Sequence, residues 1–187
     1  MNKSDIQLQS GDYPLKPSLN IRTQTNLGQP EWLELSYSFE RFLNLTISLI
    51  HPELFQCGLE ILQKTRTLET TSEIAKKWQS VFTGIAIISN RLTPSHRDRK
   101  GRPEWYDLLI NYSDIEAIPE LFIEDIGLKL EYSSGTVVGL CGMILQHGVK
   151  TWGVVDRVCY AHFMRESVRK HLEVKPAGWV YQNRYIG

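Results

Sequence analysis

A histidine and an aspartate two residues apart, His96 and Asp98, form the pattern in this sequence with the clearest chemical potential. On an extended strand, side chains at i and i+2 lie on the same face, so both groups can reach one metal ion while Arg97 points away. Two imidazoles and one carboxylate on one face of a metal are typical of iron(II) sites that keep other positions open for a co-substrate and dioxygen. The His-x-Asp triplet supplies two of these three ligands, but such a short motif also arises by chance.

A later histidine and arginine complete the pattern. His147, in the segment GMILQHGVK, lies just before a predicted turn and is followed by another predicted strand, which makes it the candidate third ligand. Arg157 begins that next strand, where its guanidinium can reach the far carboxylate of a five-carbon diacid that chelates the metal. Cys159 and Ala161 share the face of Arg157 and are small enough to leave room for this diacid. The spacing therefore predicts an Fe(II) site with 2-oxoglutarate held by Arg157.

Polar residues next to the metal motif are further candidates for the site. Asn90 ends a strand that leads into the site, so it is a candidate contact to the co-substrate, with a turn-forming role as the alternative. A basic run is a candidate grip for phosphates, although such runs are commonly solvated loops. The run consists of Arg91, Arg97, Arg99, Lys100 and Arg102.

Three residues on the following strands are weaker candidates for contacts to a substrate. Tyr106 and Asp107 are consecutive, so one of the two must face the interior of a sheet, and capping or core roles are the alternatives. His162 is an odd number of residues after Arg157, so on a regular strand its side chain points to the opposite face. This favours a structural role for His162 unless a β-bulge changes its direction.

The part of the chain before this motif predicts helices. From Glu31 to Ile50 apolar residues recur at a spacing of three and four, which gives one buried helical face. These residues are Trp32, Leu35, Phe39, Phe42, Leu43 and Ile47. Pro52 suits the first turn of a second helix that runs to about Lys64. Thr70 or Thr71 can cap a third helix that ends near Trp78.

After Val81 the sequence changes to short β-rich runs. The predicted strands are Gly84–Asn90, Trp105–Asn111, Leu128–Tyr132, Thr136–Cys141 and Arg157–Phe163. The segment SSGT predicts a turn, and GVKTWGVVD after His147 predicts a longer hairpin connection. Helices followed by strands indicate an α+β fold whose sheet can close on itself.

Composition limits the classes of protein that remain. The 187 residues are 42% hydrophobic and 22% charged, a balance that suits one globular domain. Lysine plus arginine equals aspartate plus glutamate, at 21 each, so a nucleic-acid surface would have to be a local patch. Three cysteines without CxxC spacing indicate reduced thiols and no structural zinc. No apolar run is long enough for a signal peptide or a membrane span, so we expect an intracellular protein.

Three segments resemble the fungal branch of the TET/JBP oxygenases, the dioxygenases associated with mushroom transposons. The segments are SNRLTPSHRDRKGRPEWYDLLINY, LEYSSGTVVGLCGMILQHGV and DRVCYAHFMRESV. The likeness covers about residues 36 to 170 and implies a double-stranded β-helix (jelly-roll) core preceded by helices. It implies the same iron ligands, His96, Asp98 and His147, and the same 2-oxoglutarate anchor, Arg157. The three cysteines give no counterpart to the cysteine-rich DNA-binding region of animal TET proteins, so the oxygenase core itself would bind DNA.

The resemblance leads to a set of expectations about organisation and activity. We expect an irregular arm over residues 1–30 and a single oxygenase domain over residues 31–187, with helices at 31–80, the β-helix core at 81–170 and a docked tail at 171–187. The expected reaction uses Fe(II), 2-oxoglutarate and O2 to oxidise 5-methylcytosine in DNA to 5-hydroxymethylcytosine and beyond. The expected enzyme is a monomer in the nucleus. Alternatives are demethylation of 6-methyladenine, the same chemistry on RNA, protein or a small molecule, and a silent barrel that only binds nucleic acid.

Overall fold

A computed structural model describes residues 4–9, 16–17, 29–114, 118–150 and 156–181 of the chain. The chain divides into two compact units. The first contains Ile85–Phe163 and carries nearly all of the strands, and the second contains Ile6–Gly84 and Met164–Gly187 and carries the helices.

In its described residues, the first unit contains eight antiparallel strands in two sheets. One sheet has the order β3-β10-β5-β8 and the other has the order β4-β9-β6-β7. The strands are β3 Gly84–Ser89, β4 Thr93–His96, β5 Asp107–Ser113, β6 Glu120–Ile123, β7 Leu128–Glu131, β8 Val137–Leu140, β9 His147–Val149 and β10 Arg157–Phe163. Consecutive strands alternate between the sheets, except that β6 and β7 form a hairpin joined by a 3-10 helix, Glu124–Ile126. This order is that of a jelly roll.

The two sheets of this unit share an apolar core. Its buried members come from strands of both sheets: Leu109, Leu140, Leu121 and Val149, with Tyr132 after β7. Alternating side chains along each strand meet in this layer, as expected for facing sheets. The core leaves a cavity between the sheets, and both polar and apolar side chains line it.

The described residues of the second unit form five helices and, from Ile6 on, most of a short strand pair. The helices are α1 Gln29–Leu35, α2 Tyr37–Ile50, α3 Pro52–Thr67, α4 Ser72–Lys77 and α5 Glu166–His171. Strands β1 Ser4–Gln9 and β2 Lys16–Pro17 pair antiparallel. His51 caps α3 by accepting a hydrogen bond from the Leu54 N–H at 3.2 Å, and Pro52 occupies the first turn, where no N–H is needed.

The α+β prediction with a jelly-roll core is confirmed, and the structure refines the boundaries of its elements. The helix predicted over Glu31–Ile50 is two successive helices that meet at Ser36. Strands β4, β6 and β9 are not among the predicted strands. Strands β1 and β2 lie in residues 1–30, where an irregular arm was predicted. Part of the connection predicted after His147, residues 151–155, lies outside the described residues. The division into an arm and a single domain stays a prediction.

None of the helices in the described ranges combines the length and the hydropathy that a membrane crossing requires.

Candidate active site

His96, Asp98 and His147 come together at one end of the jelly roll. His96 ends β4 and His147 begins β9, and these two residues are direct partners in the antiparallel pairing of the two strands. Asp98 lies two residues past the end of β4, where one carboxylate oxygen is 3.7 Å from His96 Nε2 and the other is 3.6 Å from His147 Nε2. One candidate ligand atom from each residue lies within 4.8 Å of the other two. This spacing suits a single metal ion between the three groups.

Backbone carbonyls orient both imidazoles toward that point. His96 Nδ1 donates a hydrogen bond to the Pro94 carbonyl at 2.9 Å, and His147 Nδ1 donates to the Leu145 carbonyl at 2.9 Å. Since a carbonyl can only accept, each Nδ1 carries the proton and each Nε2 keeps a lone pair for a metal. Burial also lowers the pKa of His147, which favours its neutral, metal-binding form. Two neutral imidazoles and a carboxylate are the donor set that Fe(II) sites of this kind use.

Arg97 lies between two candidate ligands but has a structural role. Its Nε donates to the Ile144 carbonyl at 2.7 Å, and its Nη2 donates to Asp125 at 2.6 Å. The other Asp125 oxygen accepts from the N–H of Gln146, the residue before His147. These bonds lower the pKa of Asp125, with the Gln146 bond contributing most. Asp125 thus connects the two segments that carry the metal ligands, and Arg97, predicted to grip phosphate, is already engaged.

Arg157 is buried inside the same jelly roll. As the first residue of β10 it is 1% exposed, and its Nε donates to Asn111 Oδ1 at 2.8 Å. The Asn111 side chain in turn donates to the Tyr132 carbonyl at 2.6 Å. The guanidinium lies 5.6 Å from the centre of the Tyr132 ring, a cation–π contact. These buried partners hold the arginine side chain in one orientation.

Asn90 supports the backbone of Arg157. Its Oδ1 accepts from the Arg157 N–H at 2.7 Å, its own N–H donates to the Arg157 carbonyl at 2.8 Å, and its Nδ2 donates to Asp156 at 2.5 Å. The positive φ of 46° belongs to a turn conformation that asparagine tolerates. Asn90 is not among the residues that line the cavity, so the structure places it behind the predicted anchor and gives it no contact with the co-substrate space.

One cavity joins the metal ligands to Arg157. Its walls include the three candidate ligands, Arg157 and the small side chains Cys159 and Ala161. Tyr132 also lines it, and its hydroxyl lies 3.6 Å from Cys159 Sγ. Burial raises the pKa of Tyr132 well above its ordinary value, so the phenol keeps its proton and can donate. A metal at one end and a guanidinium with a phenol at the other fit the two carboxylates of 2-oxoglutarate.

Asp107 is a further buried carboxyl group on the cavity wall. It begins β5, and Gly142 separates it from Asp98: a Cβ built on Gly142 would lie 2.4 Å from Asp107 Oδ2 and 2.7 Å from Asp98 Oδ2. A side chain at position 142 would therefore displace one or both of these carboxylates. Burial, and to a lesser degree the charge of Asp98, raise the pKa of Asp107 well above its ordinary value of 3.8. Of the two consecutive candidates, Asp107 faces the interior.

The other predicted residues lie away from the cavity wall. Tyr106 is half-buried and His162 is fully buried, and neither lines the cavity. Arg102 donates to Glu104 at 3.1 Å. Arg91, Arg99 and Lys100 are exposed, and in the described ranges none of these three forms an ion pair.

A jelly roll with a His-Asp-His cluster and a buried arginine in one cavity defines a class, the Fe(II)- and 2-oxoglutarate-dependent oxygenases. Residues 16–166 match the Tet_JBP family, the oxygenase domain of the 2OGFeDO superfamily, and the chain belongs to that family. It is a 2-oxoglutarate-dependent dioxygenase of the TET/JBP type that uses Fe(II). The prediction of the fungal branch within that family stays a prediction.

A comparison with solved structures agrees with this class. NgTET1 in complex with 5mC DNA is similar in fold, with a TM-score of 0.71 and 10% sequence identity, over 99% of this chain and 67% of that chain. At this identity the likeness concerns the fold. No curated protein matches the sequence.

Proposed function

We propose that this enzyme oxidises the methyl group of 5-methylcytosine in DNA to 5-hydroxymethylcytosine and further oxidised forms. The observation that carries the oxygenase chemistry is the single cavity with the His-Asp-His cluster at one end and buried Arg157 at the other. The choice of substrate is supported by the shared fold with NgTET1, which was solved with 5mC DNA.

The proposed roles of the site residues follow from their geometry. His96, Asp98 and His147 hold Fe(II) through two Nε2 atoms and a carboxylate oxygen, and Arg157 with the Tyr132 hydroxyl holds the distal carboxylate of 2-oxoglutarate. Together, bound Fe(II) and 2-oxoglutarate supply the activation of O2 that hydroxylation of a methyl group needs. The chain orients both groups and limits the access of water to them through the apolar wall of the cavity.

DNA has to be distorted for this reaction. A methyl group on a paired base cannot reach a cavity between two sheets, so the target nucleotide must leave the helix, at a cost of a few kcal/mol. Contacts to phosphates offset that cost. We assign this role to the exposed cations Arg91, Arg99 and Lys100, on the segment that also carries His96 and Asp98. Since one chain carries the whole site, we propose a monomer, and chromosomal DNA as the substrate implies a nuclear enzyme.

Mass spectrometry of nucleosides tests this function. The protein, loaded anaerobically with Fe(II) and 2-oxoglutarate and then exposed to air, is incubated with duplexes that carry 5-methylcytosine or 6-methyladenine. We expect 5-hydroxymethylcytosine, and no product from His96→Ala, which lacks one metal ligand.

Other outcomes of this experiment identify the alternatives. Loss of methyl from adenine alone would replace the proposed base. Succinate formation without any change in either duplex would redirect the search to RNA, protein or small-molecule substrates. Binding of the duplex that persists in His96→Ala, with no turnover by the unmodified protein, would indicate a silent barrel.

A further inference from the structure

Asn90 completes the strand pairing of Arg157 with its side chain. Strand β3 ends at Ser89, and its neighbour β10 begins at Arg157. In regular antiparallel pairing, two opposite residues can exchange their backbone N–H groups and carbonyls. Here the N–H of Asn90 donates to the Arg157 carbonyl at 2.8 Å, but the N–H of Arg157 donates to the side-chain Oδ1 of Asn90 at 2.7 Å. The Asn90 side chain therefore takes the place of a backbone carbonyl.

The backbone conformation of Asn90 does not by itself require an asparagine. Its φ of 46° lies in the left-handed region, which asparagine adopts more readily than most residues. Glycine adopts this conformation at no steric cost, but it has no side-chain acceptor. The turn and the bond to Arg157 are thus separate contributions of Asn90, and a substitution can remove one without the other.

The other half of the Asn90 amide extends the contact toward β5. Its Nδ2 donates to Asp156 Oδ1 at 2.5 Å. The backbone of Asp156 is bonded to Asp114, which follows β5. The Asp114 N–H donates to the Asp156 carbonyl at 3.2 Å, and the Asp156 N–H donates to the Asp114 carboxylate at 3.3 Å. The ends of β3, β5 and β10 are therefore joined beside Arg157.

Arg157 is held at its backbone as well as at its guanidinium. Asn111 accepts from its Nε at 2.8 Å, while Asn90 bonds to its N–H and its carbonyl. Arg157 is the first residue of β10, and the ends of an element open more easily than its centre. A small rotation of the backbone moves the end of a long side chain by much more. Since a misplacement of about 1 Å in a site can cost about a hundredfold in activity, the backbone contacts matter for binding.

We propose that Asn90 is a positioning residue that sets the affinity for 2-oxoglutarate by fixing the backbone of Arg157. Asn90 is not among the residues that line the cavity, so its effect passes through Arg157. This inference rests on the role proposed for Arg157 and is independent of the base that the enzyme oxidises. The effect of Asn90 should therefore be confined to ligands that carry a distal carboxylate.

Binding of two acids to the full chain tests this role. The acid 2-oxobutyrate has the same 2-oxo acid end as 2-oxoglutarate but no distal carboxylate, so Arg157 cannot bind it in the same way. Both dissociation constants are measured by isothermal titration calorimetry on oxygen-free protein loaded with Fe(II). The variants are Asn90→Gly, which keeps the turn and removes the amide, and Asn90→Asp, which places a second carboxylate against Asp156.

A double variant and a matched control complete the set. When Asn90→Asp is combined with Asp156→Asn, the donor and the acceptor exchange places, so the contact between the two side chains can form again. The carboxylate at position 90 can still accept from the Arg157 N–H. Glu173→Gly is the control, because Glu173 also has a positive φ, 52°, and lies after α5.

We expect Asn90→Gly and Asn90→Asp to raise the dissociation constant of 2-oxoglutarate by about tenfold. The dissociation constants of 2-oxobutyrate and Fe(II) should stay unchanged. The double variant should recover most of the affinity for 2-oxoglutarate, and Glu173→Gly should leave all three constants unchanged.

Two results would overturn the inference. Full affinity for 2-oxoglutarate in Asn90→Gly would show that Asn90 only forms a turn. Equal losses for both acids in both single variants, with no recovery in the double variant, would show general damage to the site. Equal affinity of the unmodified protein for the two acids would instead refute the role proposed for Arg157, and the inference with it.

Discussion

Arg157, the proposed anchor of 2-oxoglutarate, should determine how tightly this co-substrate is held. We predict that Arg157→Lys raises the KM for 2-oxoglutarate by about tenfold to a hundredfold, because an ammonium cannot reproduce the planar fork that Asn111 orients toward the cavity. Steady-state formation of succinate measures this. Arg41→Lys on α2 is the matched control and should leave KM unchanged. A KM for Arg157→Lys equal to that of the unmodified protein would mean that the distal carboxylate binds elsewhere.

Asp107 gives the metal-free protein a characteristic dependence of stability on pH. Its pKa is raised in the folded state, so above the ordinary value of 3.8 the folded protein binds more protons than the unfolded chain. The free energy of unfolding should therefore fall as pH rises from about 4 toward the raised pKa, by up to about 1.4 kcal/mol per pH unit. Urea unfolding in the presence of a chelator measures this slope. Asp107→Asn should flatten it, and an equal slope in the variant would refute this explanation.

At the scale of single residues, the sequence predicted the candidate metal ligands and the candidate anchor of the diacid, but not the residues that hold them in place. Four residues could be proposed from their types and spacing: His96, Asp98 and His147 as ligands of a metal, and Arg157 as the group that binds the far carboxylate of a diacid. Three residues that support the site could not be proposed in this way. Asn111 stands in the apolar run DLLINYS, Tyr132 follows β7, and Asp125 lies in the 3-10 helix between β6 and β7. Their roles depend on pairing between distant strands, which no local pattern encodes.

At the scale of elements, the Asp125 carboxylate holds the segments that carry the metal ligands in register. We predict that Asp125→Ala lowers the affinity for Fe(II) by about tenfold, since Arg97 and the Gln146 N–H lose their common partner. An anaerobic titration with Fe(II) measures the affinity. Glu120→Ala on β6 is the control, because it removes an exposed carboxylate 3.8 Å from Lys129 and touches no ligand segment. An affinity unchanged by Asp125→Ala would show that strand pairing alone positions the ligands.

Helices were easier to predict than strands for a physical reason. Helix α2 repeats its apolar pattern over 14 residues, and α3 begins with a proline that marks its start. Strand β9 has three residues, and β6 has four, so neither is long enough to show an alternating pattern. These strands exist because their backbone groups pair with neighbours such as β4, as in the pairing of His96 with His147. Strands β6 and β9 are therefore stabilised by contacts between distant parts of the chain and not by their own sequence pattern.

At the scale of the whole molecule, the formal net charge is zero, so the proposed binding to DNA depends on a few exposed cations. We predict that replacing Arg91, Arg99 and Lys100 by glutamine weakens binding to all duplexes alike. Each lost phosphate contact should reduce the slope of log affinity against log salt concentration by about 0.9. Fluorescence anisotropy over a range of salt concentrations measures the slope. Lys129→Gln, on β7, is the control, and an unchanged slope in the triple variant would place the DNA on another surface.

The contact of Gly142 with two carboxylates has a genetic consequence. Every amino acid that a glycine codon can reach by one nucleotide change carries a Cβ atom, and at this position that atom would lie between Asp98 and Asp107. Missense alleles at this codon are therefore expected to displace the carboxylate of Asp98, of Asp107 or of both. In a mutagenesis library, missense variants at codon 142 should bind Fe(II) less tightly than synonymous ones.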